Sequence, residues 1–184
     1  MRRFLVSLAA VFIALSAYAQ DIPAGMRMEC ASVEEDDNVF TIFSYKDNDG
    51  TFGYYLGIGR EVDLLEIFRD DDLSGVSLGH MDEVCLPMGE TIAEAVVFLN
   101  SLKELREKDP GTTVVFPCRL TAGAEQLSVP GTATAVVVDR WFQAQRICFH
   151  FQSGRHSAEV DLTRSTIKSL QALFGLYRNM HPDE

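Results

Sequence analysis

The stretch VFTIFSYKDNDGTFGYYLGI, residues 39–58, contains two extended segments separated by a turn. Both segments are rich in β-branched and aromatic residues, which is typical of strands. Between them, Asp47-Asn48-Asp49-Gly50 supplies residue types that tolerate the positive φ values of tight turns. The stretch therefore predicts a β-hairpin. A two-residue turn at either Asn48-Asp49 or Asp49-Gly50 gives one core face, comprising Val39, Phe43, Tyr45, Phe52, Tyr54, Leu56 and Ile58.

The other predicted face of this hairpin combines Phe40, Ile42 and Tyr55 with the glycines at positions 53, 57 and 59. Bare glycines on a strand allow a ligand or another backbone to approach closely. Aromatic rings that lean across cross-strand glycines produce the same pattern without a ligand. We take Phe40, Ile42, Tyr55 and Gly57 as the candidate ligand-binding surface, with packing as the alternative.

Outward from the hairpin, further strands and two helices follow. Strands are predicted at residues 83–86, 112–120, 132–141, 146–151 and 158–162, and residues 61–69 favour a strand over a short helix. Pro117 lacks an amide for the ladder, which predicts an edge or bulged strand. Thr91 and Glu94 have capping-box spacing at the start of one helix. A second amphipathic helix is predicted from the spacing of Ile167, Leu170, Leu173, Phe174 and Tyr177.

Two heptads share the pattern H-x-x-E-V-x-L: HMDEVCL at residues 80–86 and HSAEVDL at residues 156–162. Each is read as a strand that leads into a helix with Thr-Ile in its first turn. On a strand, residues three apart point to opposite faces, so neither histidine can bind one metal ion together with the glutamate of its own heptad. The heptads therefore predict duplicated architecture, and we expect no metal site and no cofactor.

The predicted fold is α+β, with two consecutive antiparallel β-meander-plus-helix units sharing a core. The units span about residues 38–109 and 112–180, and both helices are expected on one face of the sheet. No low-complexity linker separates them, so residues 20–184 are treated as one domain.

Residues 1–19 have the features of a signal peptide. Arg2 and Arg3 precede an apolar run, and Ala17-Tyr18-Ala19 is a small-x-small cleavage site. An uncleaved anchor is the alternative, but the apolar run falls short of the roughly 20 residues that span a bilayer. We expect a periplasmic or secreted protein whose mature chain has no membrane anchor.

Four cysteines, Cys30, Cys85, Cys118 and Cys148, remain in the mature chain. An even number of cysteines in an oxidising compartment predicts two disulfides. Three connectivities are open, and we favour Cys30–Cys85 with Cys118–Cys148. Cys148 also shares a strand face with His150, as a thiol–imidazole pair would, although a disulfide with His150 packed beside it explains the same spacing.

The charge of the mature chain argues against nucleic acids as partners. Without Arg2 and Arg3, 14 basic residues face 27 acidic ones, a net charge of −13 that repels phosphate backbones. The acidic runs at residues 34–37 and 70–72 fit solvated loops, with weak calcium binding or a basic partner as alternatives. At the Asp47–Gly50 turn, an EF-hand would place Tyr45 and Leu56 at oxygen-ligand positions, which excludes that motif.

The sequence contains none of the common hydrolase, zinc-protease or phosphate-binding motifs. We therefore expect a non-enzymatic binding or interaction protein with an unknown protein or small-molecule partner. The alternatives are a small secreted hydrolase, using His150 or His156 with a nearby carboxylate, and a proteinaceous enzyme inhibitor.

Overall fold

The computed structural model describes residues 25–60, 83–121, 129–139, 144–153 and 156–182. In them, eight strands form one antiparallel sheet in which each strand pairs with its sequence neighbours, from β1 to β8. Two helices accompany the sheet, which confirms the α+β class. The strands are β1 (Arg27–Glu35), β2 (Asn38–Lys46), β3 (Phe52–Arg60), β4 (Glu83–Gly89), β5 (Thr113–Thr121), β6 (Val129–Val138), β7 (Arg146–Ser153) and β8 (His156–Leu162). Helix α1 (Ile92–Arg106) follows β4, and helix α2 (Arg164–Met180) follows β8.

The β2–β3 hairpin exists, but its predicted facing is wrong. Lys46 pairs with Phe52, so the connection has five residues rather than two. Gly50 in this connection adopts φ 90°, and its amide donates to the Asp47 carbonyl at 3.0 Å. A five-residue loop shifts the register by one residue relative to a two-residue turn. The side chains of one strand therefore point to the other face of the sheet than predicted. Phe43 consequently faces Tyr55, and Ile42 faces Leu56.

The main core is formed by alternate strand residues and the apolar sides of the helices. Phe40, Ile42, Leu56 and Leu86 belong to it, as do Phe149 and Phe151 of β7. From the helices, the most deeply buried contributors are Ala95, Leu99, Leu102, Leu170 and Phe174. We call the face of the sheet that carries the buried strand residues the core face, and the other face of the sheet the opposite face.

Both helices begin at threonines. Thr91 accepts from the Glu94 amide while the Glu94 carboxylate accepts from the Thr91 amide, so the predicted capping box is confirmed. Thr163 caps α2 by accepting from the Thr166 amide. Of the predicted α2 stripe, Leu173 is exposed while the other four residues are buried.

Strand β5 lies inside the sheet order, yet Pro117 behaves as predicted for an edge. Pairing between β4 and β5 covers only Glu83–Cys85 against Arg119–Thr121. Beyond these residues, Pro117 is paired with Thr132 of β6 alone. A missing amide is therefore tolerated at this position.

Strand β1 was not predicted. Its charged residues, such as Arg27, Glu29 and Glu34, are exposed, and a bulge between Glu29 and Ala31 interrupts the alternation expected of a strand. The buried Ala31 nonetheless joins the main core, and α2 packs against this strand.

The predicted disulfides are wrong. All four cysteines lie within the described residues, and none is in a disulfide. Cys30 and Cys85 lie on β1 and β4, three strand spacings or roughly 14 Å apart, whereas a disulfide needs Cα atoms within about 7 Å. Cys118 lies in the core and Cys148 on the opposite face, two strands away.

Of the two heptads, HSAEVDL forms all of β8, and residues 83–86 of HMDEVCL begin β4. His80 and the predicted strand at 61–69 lie outside the described residues, as do the proposed signal peptide and the acidic run at 70–72. Within the described ranges, neither helix has the length and apolarity needed to cross a lipid bilayer.

Candidate functional site

Strands β7 and β8 bring a thiol, an imidazole and a carboxylate together on the opposite face. Cys148 and His150 are two residues apart on β7, so their side chains share a face. Cross-strand pairing places Glu159 of β8 directly opposite His150. The residues between them, Phe149 and Val160, point into the core, which fixes the facing of the hairpin.

We call Cys148, His150 and Glu159 the thiol–imidazole cluster. The His150 Nδ1 lies 2.9 Å from the Glu159 Oε1, and the candidate ligand atoms of the three residues all lie within 4.8 Å of one another. Cys148 is buried at 7% exposure, whereas the side chains of His150 and Glu159 are 43% and 70% exposed. The cluster therefore combines a sheltered thiol with two side chains that solvent reaches.

A cleft of about 270 Å³ borders this cluster. One wall comes from Cys148, Glu159 and neighbours on β7 and β8, and the other from the β1–β2 turn, where Asp36 adopts φ 54°. Four carboxylates and a single cationic side chain lie among its described lining residues: Glu35, Asp36, Glu159, Asp161 and Arg146. Arg146 Nη1 donates to Asp161 Oδ2 at 2.8 Å, so its charge is already partnered.

Hydroxyl groups at the start of α2 hold one of these carboxylates in place. The Thr163 and Ser165 hydroxyls each donate to Glu35 Oε1 at 2.8 Å, and the Thr166 hydroxyl donates to Glu35 Oε2. An anion near the first turn of a helix is also favoured by the helix dipole. At the other side of the turn, the buried Oδ1 of Asn38 has no hydrogen-bond partner among the described residues. The cleft thus has a fixed, polar wall.

The four residues proposed as a ligand-binding surface do not form one surface. Phe40 and Ile42 are fully buried in the main core, whereas Tyr55 and Gly57 lie on the opposite face. The observed β2–β3 register, shifted by one residue from the predicted one, places these residues on different faces.

On that opposite face, Phe43, Tyr45, Tyr55 and Cys85 form a second group, which we call the aromatic cluster. The Phe43 and Tyr55 rings stack with centroids 5.6 Å apart. The Arg27 guanidinium lies 3.7 Å above the Phe43 ring and donates through Nη2 to Glu83 Oε1 at 2.9 Å. This cluster is closed by its own side chains.

Packing accounts for Gly57 in this cluster. A Cβ at Gly57 would lie 1.9 Å from Glu83 Oε1 and 3.1 Å from Phe43 Cε1, so the glutamate occupies the space that a side chain would fill. Its φ is not in the positive range, so the requirement is spatial rather than conformational. Among the two readings of the glycine face, the contacts at Gly57 match packing by neighbouring side chains.

The buried thiols of Cys85 and Cys118 both have raised pKa values. Burial, reinforced by the charge of Glu83, raises the pKa of Cys85 far above that of an ordinary thiol. Burial alone raises the pKa of Cys118 to about 11. Because the thiolate is the nucleophile and the metal ligand, neither residue is suited to such chemistry at neutral pH.

The sequence placed Cys148 and His150 on one face but did not supply Glu159 as their partner. His150–Glu159 is a cross-strand pair, and Ser153 pairs with His156 across a two-residue connection. Gly154 in that connection was the available signal, because Gly favours two-residue hairpin loops.

Comparison with known proteins adds no relative. No protein-family model, no curated protein and no solved structure matches the chain.

Proposed function

We propose that the protein is an exported, non-enzymatic binding protein that holds a positively charged ligand in the cleft between the β1–β2 turn and the β7–β8 hairpin. The observation that carries this proposal is the composition of the cleft: four carboxylates against one arginine that is already paired with Asp161. A net charge of −13 on the mature chain also attracts cations over a longer range.

Two of the carboxylates are suited to meet such a ligand. Glu35 is bonded by hydroxyls and Asp161 by Arg146, so their charges are partly satisfied. Asp36 lies in the exposed turn, and Glu159 is 70% exposed beside His150. We expect a bound cation to lie between Asp36 and Glu159.

An NMR titration of the mature chain, residues 20–184, with the organic dication putrescine tests this proposal. Amide shifts should concentrate in residues 35–38 and 159–163, and added salt should weaken binding. The double variant Asp36→Asn/Glu159→Gln should raise the Kd about tenfold, by the loss of about 1.4 kcal/mol of attraction. Glu34→Gln, an exposed neutralisation on β1, is the matched control. Shifts spread evenly over the surface, or an equal effect of the control, would contradict the proposal.

A second candidate function is a cysteine hydrolase. Cys148, His150 and Glu159 have the residue types of a nucleophile, a base and a carboxylate that orients the base, and the His150–Glu159 contact of 2.9 Å favours it. Against it, Cys148 pairs with Val136 on one side and Asp161 on the other. Backbone amides of an interior strand are used in the ladder, which leaves none beside the thiol for an oxyanion. Hydrolysis of generic ester, peptide or glycoside substrates that Cys148→Ser abolishes would displace the binding proposal.

We also propose periplasmic or secreted localisation, and duplicated units at about residues 38–109 and 112–180 with both helices on one face of the sheet. Support comes from the parallel placement of Thr91 after β4 and Thr163 after β8. Export is tested by N-terminal sequencing of the protein from its host, where a start at Gln20 is expected.

A further inference from the structure

We infer that the thiol–imidazole cluster is a transition-metal site, in which Cys148, His150 and Glu159 bind one divalent ion such as Zn²⁺ or Co²⁺. This inference rests on the proposed function, because Glu159 of the same cleft supplies one of the ligands. It reverses the expectation from the sequence that no metal site exists, because the three ligands come from a cross-strand pair and not from the H-x-x-E heptad.

The spacing of the three side chains suits such an ion. Tetrahedral coordination with bonds of about 2.0–2.3 Å separates neighbouring donor atoms by roughly 3.3–3.8 Å. The candidate donor atoms of the cluster lie within 4.8 Å of one another, and His150 and Glu159 approach to 2.9 Å. Because the Glu159 side chain is 70% exposed, it has room to rotate and open that contact for an ion.

The donor set selects the class of metal. A thiolate, an imidazole and a carboxylate together suit borderline divalent ions, whereas Ca²⁺ and Mg²⁺ take oxygen ligands almost exclusively. Thiolate and carboxylate charges also neutralise a divalent ion, so the bound site is neutral at the edge of an otherwise acidic cleft.

Three protein ligands leave a fourth tetrahedral position. In structural zinc sites the protein supplies all four ligands, whereas three protein ligands leave the fourth position to water or to a further ligand. The exposed side chains of His150 and Glu159 place this position toward solvent and the cleft. The site therefore leaves one coordination position for water or for a further ligand.

Cobalt titration of the reduced mature chain, with residues 20–184 kept under inert gas, tests the inference. Co²⁺ bound through a thiolate gives a charge-transfer band in the near ultraviolet and intense visible bands when tetrahedral. We expect both at one equivalent, and Zn²⁺ should abolish them by competition. Cys148→Ser should remove the charge-transfer band, while His150→Ala and Glu159→Gln should each weaken Co²⁺ binding at least tenfold.

Matched controls are available for each ligand. Cys30→Ser changes the most accessible other cysteine, His181→Asn another histidine and Glu34→Gln another exposed carboxylate, and none should alter the spectrum. Far-ultraviolet circular dichroism of each variant establishes that it is folded.

The absence of a cobalt–thiolate band in folded wild-type protein, or its persistence in Cys148→Ser, would overturn the inference. If putrescine still binds in the cleft in that case, the proposed function stands and only the metal assignment is wrong. If neither putrescine nor metal binds, both proposals are wrong.

Discussion

The β3–β4 and β7–β8 strand pairs have similar second strands but carry two different surfaces. Their second strands contain Glu83-Val84-Cys85-Leu86 and Glu159-Val160-Asp161-Leu162. Cys85 pairs with Gly57 and Asp161 with Cys148, while the two glutamates pair with Gly59 and His150. Where β3 has glycines, β7 therefore has a thiol and an imidazole.

This difference decides what the equivalent glutamates do. Glu83 lies over Gly57, binds Arg27 and helps to bury Cys85 in the aromatic cluster. Glu159 cannot lie flat on the neighbouring strand, because Cys148 and His150 have side chains where β3 has glycines. It contacts the imidazole instead and remains exposed. The opposite face of β3–β4 is therefore packed by its own side chains, whereas that of β7–β8 has polar groups in reach of solvent.

The largest expected effect comes from Phe43→Ala in the aromatic cluster. Phe43 is 1% exposed, stacks on Tyr55 and lies under Arg27, so its loss should lower the free energy of unfolding by about 3–5 kcal/mol. Thr134→Ala, on the opposite face beside His150, should change it by less than about 0.5 kcal/mol. Urea denaturation measures both. Equal effects would show that the two surfaces are packed alike.

The free energy of unfolding should also depend on pH through Cys85 of β4. The raised pKa of Cys85 keeps its thiol protonated in the folded state, while the unfolded thiol ionises above about pH 8.5. The unfolded state then binds fewer protons, so the free energy of unfolding falls as pH rises between 8.5 and 10. This thiol contributes a slope of up to about 1.4 kcal/mol per pH unit.

Cys85→Ala is the comparison variant for that measurement, by urea denaturation at several pH values. Its slope should be shallower than that of the wild type. An unchanged slope would mean that Cys85 ionises in the folded protein as readily as in the unfolded chain.

Gly57→Ala should cost about 1–2 kcal/mol, because the new methyl group displaces Glu83 and presses on Phe43. In a Glu83→Ala background the same change should cost less, since the main clash is gone. Gly175→Ala is a control of opposite sign: nothing lies within 4 Å of its Cβ position in α2, and alanine should stabilise the helix by up to about 1 kcal/mol. Thermal denaturation of Gly57→Ala, Glu83→Ala, the double variant and Gly175→Ala measures these effects. If the costs of Gly57→Ala and Glu83→Ala simply add in the double variant, the packing explanation of Gly57 is contradicted.

The smallest effect on stability is expected in the β7–β8 hairpin. His150→Ala should change the metal-free stability by less than about 0.5 kcal/mol, since its side chain is 43% exposed and its hydrogen bond to Glu159 lies at the surface. Adding Zn²⁺ should raise the melting temperature of the wild type but not of this variant. A large metal-free loss would show that His150 is a packing residue, like Phe43.

The elements that sequence predicted well are those decided by local chemistry. The capping box at Thr91 and Glu94 needs no distant partner, and α1 begins where the sequence predicted it. The hairpin facing failed because one residue of loop length reverses it, and a run such as Asp47–Thr51 leaves that length open.

The candidate site was predictable only in part. Strand periodicity alone put Cys148 beside His150, but Glu159 requires the register of the next hairpin. The disulfide assignment failed because it used the number of cysteines, whereas the order of strands keeps Cys30 and Cys85 far apart.

The bonding of Glu35 to hydroxyls of α2, together with the packing of α2 on β1, links the two ends of the described chain. Contacts separated by about 130 residues carry a high entropic cost of loop closure and slow the search for the native state. Strand β1 therefore gains these contacts only after the last helix has been synthesised. Truncation before residue 163 removes these contacts, and proteases should degrade the truncated chain faster than the full chain.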